Sequence, residues 1–390
     1  MTTLRVALRL TVPATIQLAY SLNSDMSDYS LSDPVESNAG NVAKFTVSGL
    51  AAATKYYVQA YIADLLAGPV GSAVTAATGR HSFSFWAASC ARSGSTQPIF
   101  DAIRTHSPAL ERGIHTGDLH YDDIATNSVA VFMASYDNVF DSTQQHQLYR
   151  EIATSYIWDD HDYGPNNSDS TSPSREASAI AYRLRVPHAP LVQSSGPIYR
   201  REQHGRVVFL ITDLRHERTS STMLGSTQKA WFIDQLSDEA NDGMLLCWVN
   251  TVPWIGTHSS DMWGVGDWAD ERVEIANAIK AAGVVGRFFS INGDMHGLAI
   301  DDGTNSDYAT GGGAAFPVFQ AAPLDQSNSS KGGPWSEGSK TDVQRQVGII
   351  TIDDDREDPD EIGVTLTGKF WNGSALETWK SLSFVANVGA

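Results

Sequence analysis

Acidic and imidazole side chains recur in short clusters along the chain, each directly after a run of apolar residues. The clusters read GDLHY at 117–121, WDDHDYGPNN at 158–167 and NGDMH at 292–296, and the loop SCARSG at 89–94 adds a thiol, that of Cys90. Short apolar runs predict buried strands, and ligands in α/β sheets bind beyond the carboxyl ends of the strands. We therefore expect these loops to meet at one edge of the fold.

This mixture of side chains is suited to metal ions. Several carboxylates in one place need cations or protons to neutralise them. Asp and Asn oxygens suit hard cations such as calcium or magnesium, whereas a thiolate and a phenolate suit ferric iron or zinc. Two neighbouring ions would polarise a phosphoryl oxygen and lower the pKa of a bound water, so the side chains favour hydrolysis of phosphate esters.

The four consecutive ionisable residues at 159–162, DDHD, are the strongest single indication, because packing gives no reason to place them after a strand. A lone Gly-Asp pair is more often only a turn, and Cys90 or Tyr121 taken singly is more often a packing residue. On an extended backbone Asp294 and His296 would point to the same side, which favours ligation of one metal centre.

The surrounding pattern predicts an all-β region followed by an α/β region. Residues 4–12 and 54–62 alternate apolar and polar side chains, as half-buried strands do, so we interpret residues 1–80 as a small antiparallel β-sandwich. From residue 83 to about residue 300, strands and helices alternate, which predicts a layered α/β domain, and residues 345–388 return to strands. The predicted second domain is 81–390.

Helices are predicted at 96–106, 127–150, 225–240 and 267–282. The third of these would begin with Ser226 or Thr227 as its N-cap. The acidic run 353–361 is expected to be a solvated turn between two of the late strands.

Composition excludes several classes of protein. The 390 residues are 42% hydrophobic, enough for a sizeable core, and the net charge of -18 argues against nucleic-acid binding by a basic surface. Two cysteines exclude a disulfide scaffold, and no apolar run reaches the 18 residues of a membrane span. The N-terminus lacks a signal-peptide pattern, and no coiled-coil or apolar helix face points to an oligomeric state.

The motifs also resemble those of a known family. In chain order, GDLHY, WDDHDYGPNN, DLRHER at 213–218, LGSTQKAWFIDQL at 224–236, NTVPW at 250–254, WGVGDWADER at 263–272 and NGDMH resemble the series of the PhoD-like alkaline phosphatases and phosphodiesterases. The resemblance covers about residues 83–300 and implies a metallophosphoesterase-like β-sandwich flanked by helices, related in active-site logic to purple acid phosphatases. Residues 50–56 resemble a strand corner of fibronectin type III modules, and the family implies an extracytoplasmic location.

The resemblance implies a metal centre with ferric iron and one or two calcium ions, for which zinc or manganese would be the alternatives. It implies that Cys90, Asp118 and Tyr121 bind iron and that Asp118 bridges to calcium. Asn166 would bind calcium, and the cluster would be completed by Asp294 and His296.

Other residues would assist the reaction. Asp160 and His161 are candidates for support of the ligands and for proton transfer. Arg215 and Arg218 would hold phosphate oxygens, or they would form salt bridges with nearby carboxylates, which the acidic surroundings favour. Some relatives carry Arg directly after the Gly-Asp pair, where this chain has Leu119. Arg92 or His120 would therefore bind the phosphate in its place.

The sequence therefore predicts a metal-dependent hydrolase of phosphate monoesters or diesters that acts at alkaline pH. One alternative is a phosphodiesterase or phospholipase-type enzyme with little monoesterase activity. Another is a calcium-stabilised binding or adhesion protein, for which a β-sandwich with acidic loops would be suited. Cys90 and the His-bearing loops argue against that last alternative, because calcium does not require them.

Overall fold

The computed structural model describes residues 2–257 and 261–389. Its strands are β1 (Thr2–Arg9), β2 (Thr15–Ser21), β3 (Ser30–Leu31), β4 (Val35–Glu36), β5 (Val42–Leu50), β6 (Lys55–Ile62), β7 (Leu65–Val74), β8 (Phe83–Ala88), β9 (Arg112–His115), β10 (Thr154–Tyr156), β11 (Arg200–His204), β12 (Val207–Ile211), β13 (Leu245–Asn250), β14 (Phe288–Asn292), β15 (Leu298–Asp301), β16 (Val318–Gln320), β17 (Ser339–Lys340), β18 (Gln346–Asp353), β19 (Glu361–Trp371) and β20 (Leu376–Asn387). Its α-helices are α1 (Pro98–Arg104), α2 (Val129–Asp141), α3 (Thr143–Glu151), α4 (Asp160–Tyr163), α5 (Arg175–Arg185), α6 (Gly225–Leu236) and α7 (Trp268–Ala281).

The first seven strands form the predicted antiparallel sandwich. Strand β1 pairs with β5, while β3, β2, β6 and β7 form a second sheet to which β4 is added through β2. Buried side chains from both sheets, among them Leu4, Leu18 and Phe45, share one core. The likeness of this region to fibronectin type III modules and the domain boundary at residue 80 stay predictions.

The rest of the chain folds into two larger sheets that face each other. The first has the order β10-β9-β8-β18-β19-β20, with β10, β9 and β8 parallel and the later strands antiparallel. The second has the order β11-β12-β13-β14-β16-β15-β17, with β12, β13, β14 and β16 parallel. Phe85 of the first sheet and Phe209 of the second meet edge to face, with ring centroids 5.4 Å apart.

Strand β12 shows how the sequence pattern builds these layers. All five of its residues are buried, so it reads as a continuous apolar run. Val207, Phe209 and Ile211 point into the core between the sheets, whereas Val208 and Leu210 join the helices α6 and α7 on the outside. Because strand side chains alternate in direction, one apolar run fills two cores. The predicted β-sandwich flanked by helices is confirmed.

Two predictions about helices need correction. The segment 127–150 is not one helix, because Ser142 has extended backbone angles (φ −69°, ψ 138°) and separates α2 from α3. The N-cap prediction for α6 was wrong: the helix begins at Gly225 after Leu224, and neither Ser226 nor Thr227 caps it. Instead, the hydroxyl of Thr222 accepts a hydrogen bond from the Gly225 amide at 2.9 Å.

The N-terminal sandwich is fastened to helices of the larger region. Arg9 forms an ion pair of 3.0 Å with Asp137 of α2. The Lys44 ammonium donates to the carbonyl of Arg183 in α5 at 2.9 Å. The part of the chain that the structure describes contains no helix of the length and apolar character needed to cross a membrane.

Replacement of Gly113 by Ala should destabilise the fold by about 1–3 kcal/mol, the usual cost of overpacking a core. A Cβ at this position of β9 would lie closer than 3.0 Å to the buried indole of Trp86 in β8. Gly286→Ala is the matched control, because a Cβ there would meet no heavy atom within 4 Å. Urea unfolding of both variants tests this, and equal stabilities would contradict the packing described here.

Candidate metal centre

The loops after β8 and β9 are held together by their backbones. The amide of Cys90 donates to the carbonyl of Gly117 at 3.1 Å, and the amide of Ala91 donates to the carbonyl of Asp118 at 2.8 Å. From the other side, the Asp162 carboxylate accepts the amides of Leu119 and His120 at 2.7 and 3.0 Å. The position of Asp118 is therefore fixed by both neighbouring loops.

The glycines of the two Gly-Asp motifs allow the loops to approach. A Cβ on Gly117 would lie closer than 3.0 Å to the Cβ of Asp159, and Gly117 has a φ of +104°. A Cβ on Gly293 would collide in the same way with the carbonyl of Thr116, which directly follows β9 of the opposite sheet. Only glycine fits where the backbones come this close.

Four of the predicted ligands have left-handed backbone conformations. The φ angles are +60° at Cys90, +56° at Asp118, +58° at Tyr121 and +64° at Asp294. Non-glycine residues rarely adopt such angles, and strained positions of this kind cluster at functional sites. The surrounding hydrogen bonds hold these side chains in directions that an ordinary strand or helix would not give.

Three overlapping groups of side chains could each hold a metal ion, since their ligand atoms lie within 4.8 Å of one another. The groups are Cys90 with Asp118 and His296, Asp118 with Asp160 and His161, and Asp159 with Asp160 and Asp294. Asp118 belongs to the first two groups, as a bridging carboxylate would, and Asp160 belongs to the last two. The arrangement provides adjacent cation positions that share carboxylates.

Asp294 and His296 fall into different groups, and the expectation of an extended backbone between them was wrong. The amide of Met295 donates to the carbonyl of Gly293, and the amide of Gly297 donates to that of Met295, at 2.8 and 2.9 Å. The chain therefore turns between the two residues. This turn sends the carboxylate and the imidazole to neighbouring positions rather than to the same one.

The imidazoles of His161 and His296 both present their Nε2 atoms to the groups of candidate ligands. The Nδ1 of His296 lies 2.6 Å from the carbonyl of Ser327, which can only accept, so Nδ1 carries the proton and Nε2 keeps its lone pair. Burial also lowers the pKa of His296 to about 4, which keeps it neutral. The Nδ1 of His161 lies 2.6 Å from a carboxylate oxygen of Asp123. Partners of this kind commonly orient metal-binding histidines.

Tyr121 lies between the two histidines. Its hydroxyl is 3.4 Å from the Nε2 of His296, and its ring stacks on that of His161 with 3.6 Å between centroids. Burial and the nearby Asp118 raise the pKa of Tyr121 well above its usual value. The phenolate would therefore form only next to a cation.

The electrostatics of the groups fit bound cations. Burial, together with neighbouring carboxylates, raises the pKa of Asp118 well above its usual range, and burial and Asp118 do the same for the thiol of Cys90. One carboxylate oxygen of Asp159 and one of Asp160 are buried without a hydrogen-bond partner among the described residues. Buried oxygens of this kind require compensation, and a metal ion would supply it.

Asn166 differs from the other predicted ligands. It is exposed and makes no hydrogen bond within the described chain. The amide of the next residue, Asn167, donates instead to the carboxylate of Asp160 at 2.6 Å. Calcium ligation by Asn166 stays a prediction.

Arg215 and Arg218 are engaged inside the protein. The Nε of Arg215 lies 2.5 Å from a carboxylate oxygen of Asp159, and its Nη2 lies 2.9 Å from a carboxylate oxygen of Asp261. Arg218 forms a second ion pair with Asp261, at 2.5 Å. Burial raises the pKa of Asp261, but the two guanidinium groups outweigh it and leave the pKa well below its usual value. These contacts favour the salt-bridge alternative over phosphate binding.

The other two candidates for phosphate binding lie in different surroundings. His120 is fully buried, and its ring packs edge to face against Tyr136 at a centroid distance of 5.5 Å. This burial argues against contact with a substrate. The side chain of Arg92 is exposed, while its backbone amide donates to the Asp325 carboxylate at 2.6 Å.

Sequence reasoning missed Lys331. Its ammonium lies 2.7 and 2.8 Å from the two carboxylate oxygens of Asp294, and 22% of its side chain is exposed. The residue follows a Ser-rich and Gly-rich segment that carries no motif, so no signal in the sequence pointed to it. Asp261 was missed because it lies outside the motifs, two residues before WGVGDWADER.

The fold has a counterpart among solved structures. A structure titled "Structure of PhoD" matches this chain with a TM-score of 0.79 at 14% sequence identity, and the match covers 99% of this chain and 88% of that one. The chain has the PhoD fold. No family model and no curated protein matches the sequence. The fold that the motif series implied is confirmed. Within this PhoD fold the candidate ligands lie on the loops after β8, β9 and β14 and in the segment after β10, where Asp160 and His161 begin α4.

Replacement of Arg215 by Met should lower the free energy of unfolding by about 3–5 kcal/mol, because it leaves the buried Asp159 carboxylate of the PhoD fold without its guanidinium partner and Asp261 with Arg218 alone. The control is Arg356→Met, which removes a surface pair with Glu361 and should cost about 1 kcal/mol or less. Denaturant unfolding measures both. A stable Arg215→Met protein with a raised KM for phosphate esters would instead assign Arg215 to substrate binding.

Proposed function

We propose that this protein is a metal-dependent hydrolase of phosphoric esters that acts on monoesters or diesters at alkaline pH. The supporting observation is the set of adjacent groups that share Asp118 and Asp160, at the carboxyl ends of strands in a PhoD fold. Carboxylates, imidazoles, a thiol and a phenol meet there in a buried place. This is the donor set that a site with two or more cations requires.

The proposed ligands of ferric iron are Cys90, Asp118, Tyr121 and His296. Asp118 would bridge to calcium, for which Asp160, Asn166 and Asp294 are the further oxygen ligands. One or two calcium ions fit the two carboxylate groups, with zinc or manganese as alternatives to this metal set. When bound, the metals would supply Lewis-acid activation of the phosphoryl group and of a water.

His161 is suited to move a proton beside these ligands. Asp123 accepts from its Nδ1, so Nε2 faces the Asp118 and Asp160 carboxylates with its lone pair available. The stacked ring of Tyr121 fixes the plane of the imidazole. A base held in this way can accept a proton from the attacking group or return one to the leaving oxygen.

Lys331 is the cation that we propose for contact with the substrate phosphate. It pairs with Asp294, and 22% of its side chain is exposed. A metal ion held by Asp294 would balance the charge of this carboxylate, and the ammonium of Lys331 would then be available to contact a phosphate oxygen. The exposed side chain of Arg92, on the loop after β8, is a second candidate for this contact.

Replacement of Asp118 by Asn should lower turnover by more than about 100-fold, since loss of a bridging ligand exceeds the usual cost of losing a group that only orients a ligand. The assay uses nitrophenyl phosphate and bis-nitrophenyl phosphate, with elemental analysis of the purified proteins. Asp122→Asn is the control, because Asp122 is exposed on the same loop and bonds Ser135. Unchanged turnover in Asp118→Asn would reject this site.

The same assay separates the alternative functions. Turnover of the bis ester with little turnover of the monoester would favour a phosphodiesterase or phospholipase-type enzyme. Metal-dependent melting without hydrolysis of either ester would favour a calcium-stabilised binding protein. The thiol and the imidazoles among the carboxylates support the hydrolase, because calcium binding alone requires oxygen ligands.

Replacement of Lys331 by Met should lower kcat/KM by about 10- to 150-fold, through KM, because a hydrogen bond to a charged group contributes about 1.5–3 kcal/mol. The control is Lys229→Met: that lysine pairs with Glu274 on the helical surface and has a similar exposed fraction of 25%. Steady-state kinetics on the better ester measures the effect. If Lys331→Met has the same KM as Lys229→Met, Lys331 does not contact the substrate.

A further inference from the structure

Two histidines and a glutamate form a second cluster, apart from the candidate metal centre. The Nε2 of His81 lies 3.1 and 3.0 Å from the two carboxylate oxygens of Glu111. The Nε2 of His204 lies 2.9 Å from the second of those oxygens. All three side chains therefore direct ligand atoms to one point, and these atoms lie within 4.8 Å of one another.

The cluster lies at the opposite end of the same strands. His81 precedes β8 and Cys90 follows it, while Glu111 precedes β9 and Asp118 follows it. At about 3.3 Å per residue, the five steps of β8 from Phe83 to Ala88 alone separate the two ends by about 17 Å. The cluster and the candidate metal centre are thus separate sites.

The chemistry of the cluster is that of a zinc site with three protein ligands. Zinc binds His nitrogen at about 2.0–2.1 Å and carboxylate oxygen at about 2.0–2.2 Å, usually in a tetrahedron. In that geometry neighbouring ligand atoms are about 3.3 Å apart. The observed separations of 2.9 to 3.1 Å between the imidazole nitrogens and the carboxylate oxygens need to widen by only a few tenths of an ångström.

The surroundings hold the ligands in place and leave an entrance. Phe83 packs against both imidazoles, with ring centroids 5.9 Å from His81 and 4.4 Å from His204. A Cβ on Gly205 would lie 3.3 Å from the Cβ of His81, so the glycine allows the turn after His204 to approach. The side chains of His81 and Glu111 are 24% and 23% exposed, which gives an ion access from solvent.

We propose that His81, Glu111 and His204 form a zinc site, with water as the fourth ligand. The ion would join the segment between the N-terminal sandwich and the larger region to the start of β9 and to the end of β11. These three segments meet in the fold but are distant in the sequence. Bound zinc therefore stabilises the folded chain, and ester hydrolysis does not depend on it.

The test is a zinc titration of the metal-loaded protein against a chromophoric chelator, together with thermal melting. The wild-type chain should bind one zinc ion more than His81→Gln or Glu111→Gln. Zinc should raise its Tm by about 2 °C or more, a gain that both variants lose. The control is His106→Gln, whose imidazole bonds the carbonyl of Pro108 instead. Equal zinc binding by wild type and both variants would overturn the proposal and leave a hydrogen-bonded cluster only.

X-ray absorption of the additional zinc keeps the test independent of how the variants fold. Two imidazole ligands and oxygen at about 2.0 Å are expected, without sulfur. A zinc–sulfur distance of about 2.3 Å would place the ion at Cys90 and reject the second site. Neither readout depends on hydrolysis, so failure of the zinc site and failure of the proposed function are distinguishable.

Discussion

The burial of several carboxylates in one small space is the constraint on which the rest of this site depends. Asp118, Asp160 and Asp294 are almost fully buried and belong to overlapping groups. Burial opposes their ionisation, and each charge opposes the next. The fold supplies cations on two sides, where Arg215 neutralises Asp159 and Lys331 neutralises Asp294. Among the residues that the structure describes, Asp118 has no such cationic side chain beside it, and a metal ion would balance the charge that burial and its neighbours otherwise oppose.

Such a concentration of charge can persist only in a rigid frame. Parallel strands of the two sheets deliver their loops to one edge, and glycines at the Gly-Asp motifs let the backbones of opposite sheets touch. The left-handed conformations of Cys90 and Asp118 cost free energy, which the packing of both sheets must offset. The large apolar core between the sheets therefore supports both stability and the geometry of the site.

The two clusters of candidate metal ligands lie at opposite ends of the same strands. The carboxyl ends of β8 and β9 carry the candidate metal centre, while their amino ends carry the cluster of His81, Glu111 and His204. The first end combines a thiol, a phenol, imidazoles and carboxylates with strained loops. The second combines two imidazoles and one carboxylate with ordinary strand ends.

The sequence by itself determined the elements and the composition of the site. Period-two alternation and apolar runs depend on neighbouring residues, so the strands and the loops with Asp118, Asp160 and Asp294 were predictable. The tertiary structure decided which charged groups are paired, because the partners are far apart in the sequence. Arg215 and Asp261 are separated by 46 residues, Lys331 and Asp294 by 37, and Glu111 and His204 by 93. The tertiary structure also decided that α6 begins without a Ser226 or Thr227 cap and that Asp294 and His296 face neighbouring positions. Contacts between distant residues follow from how the sheets pack, which no local pattern records.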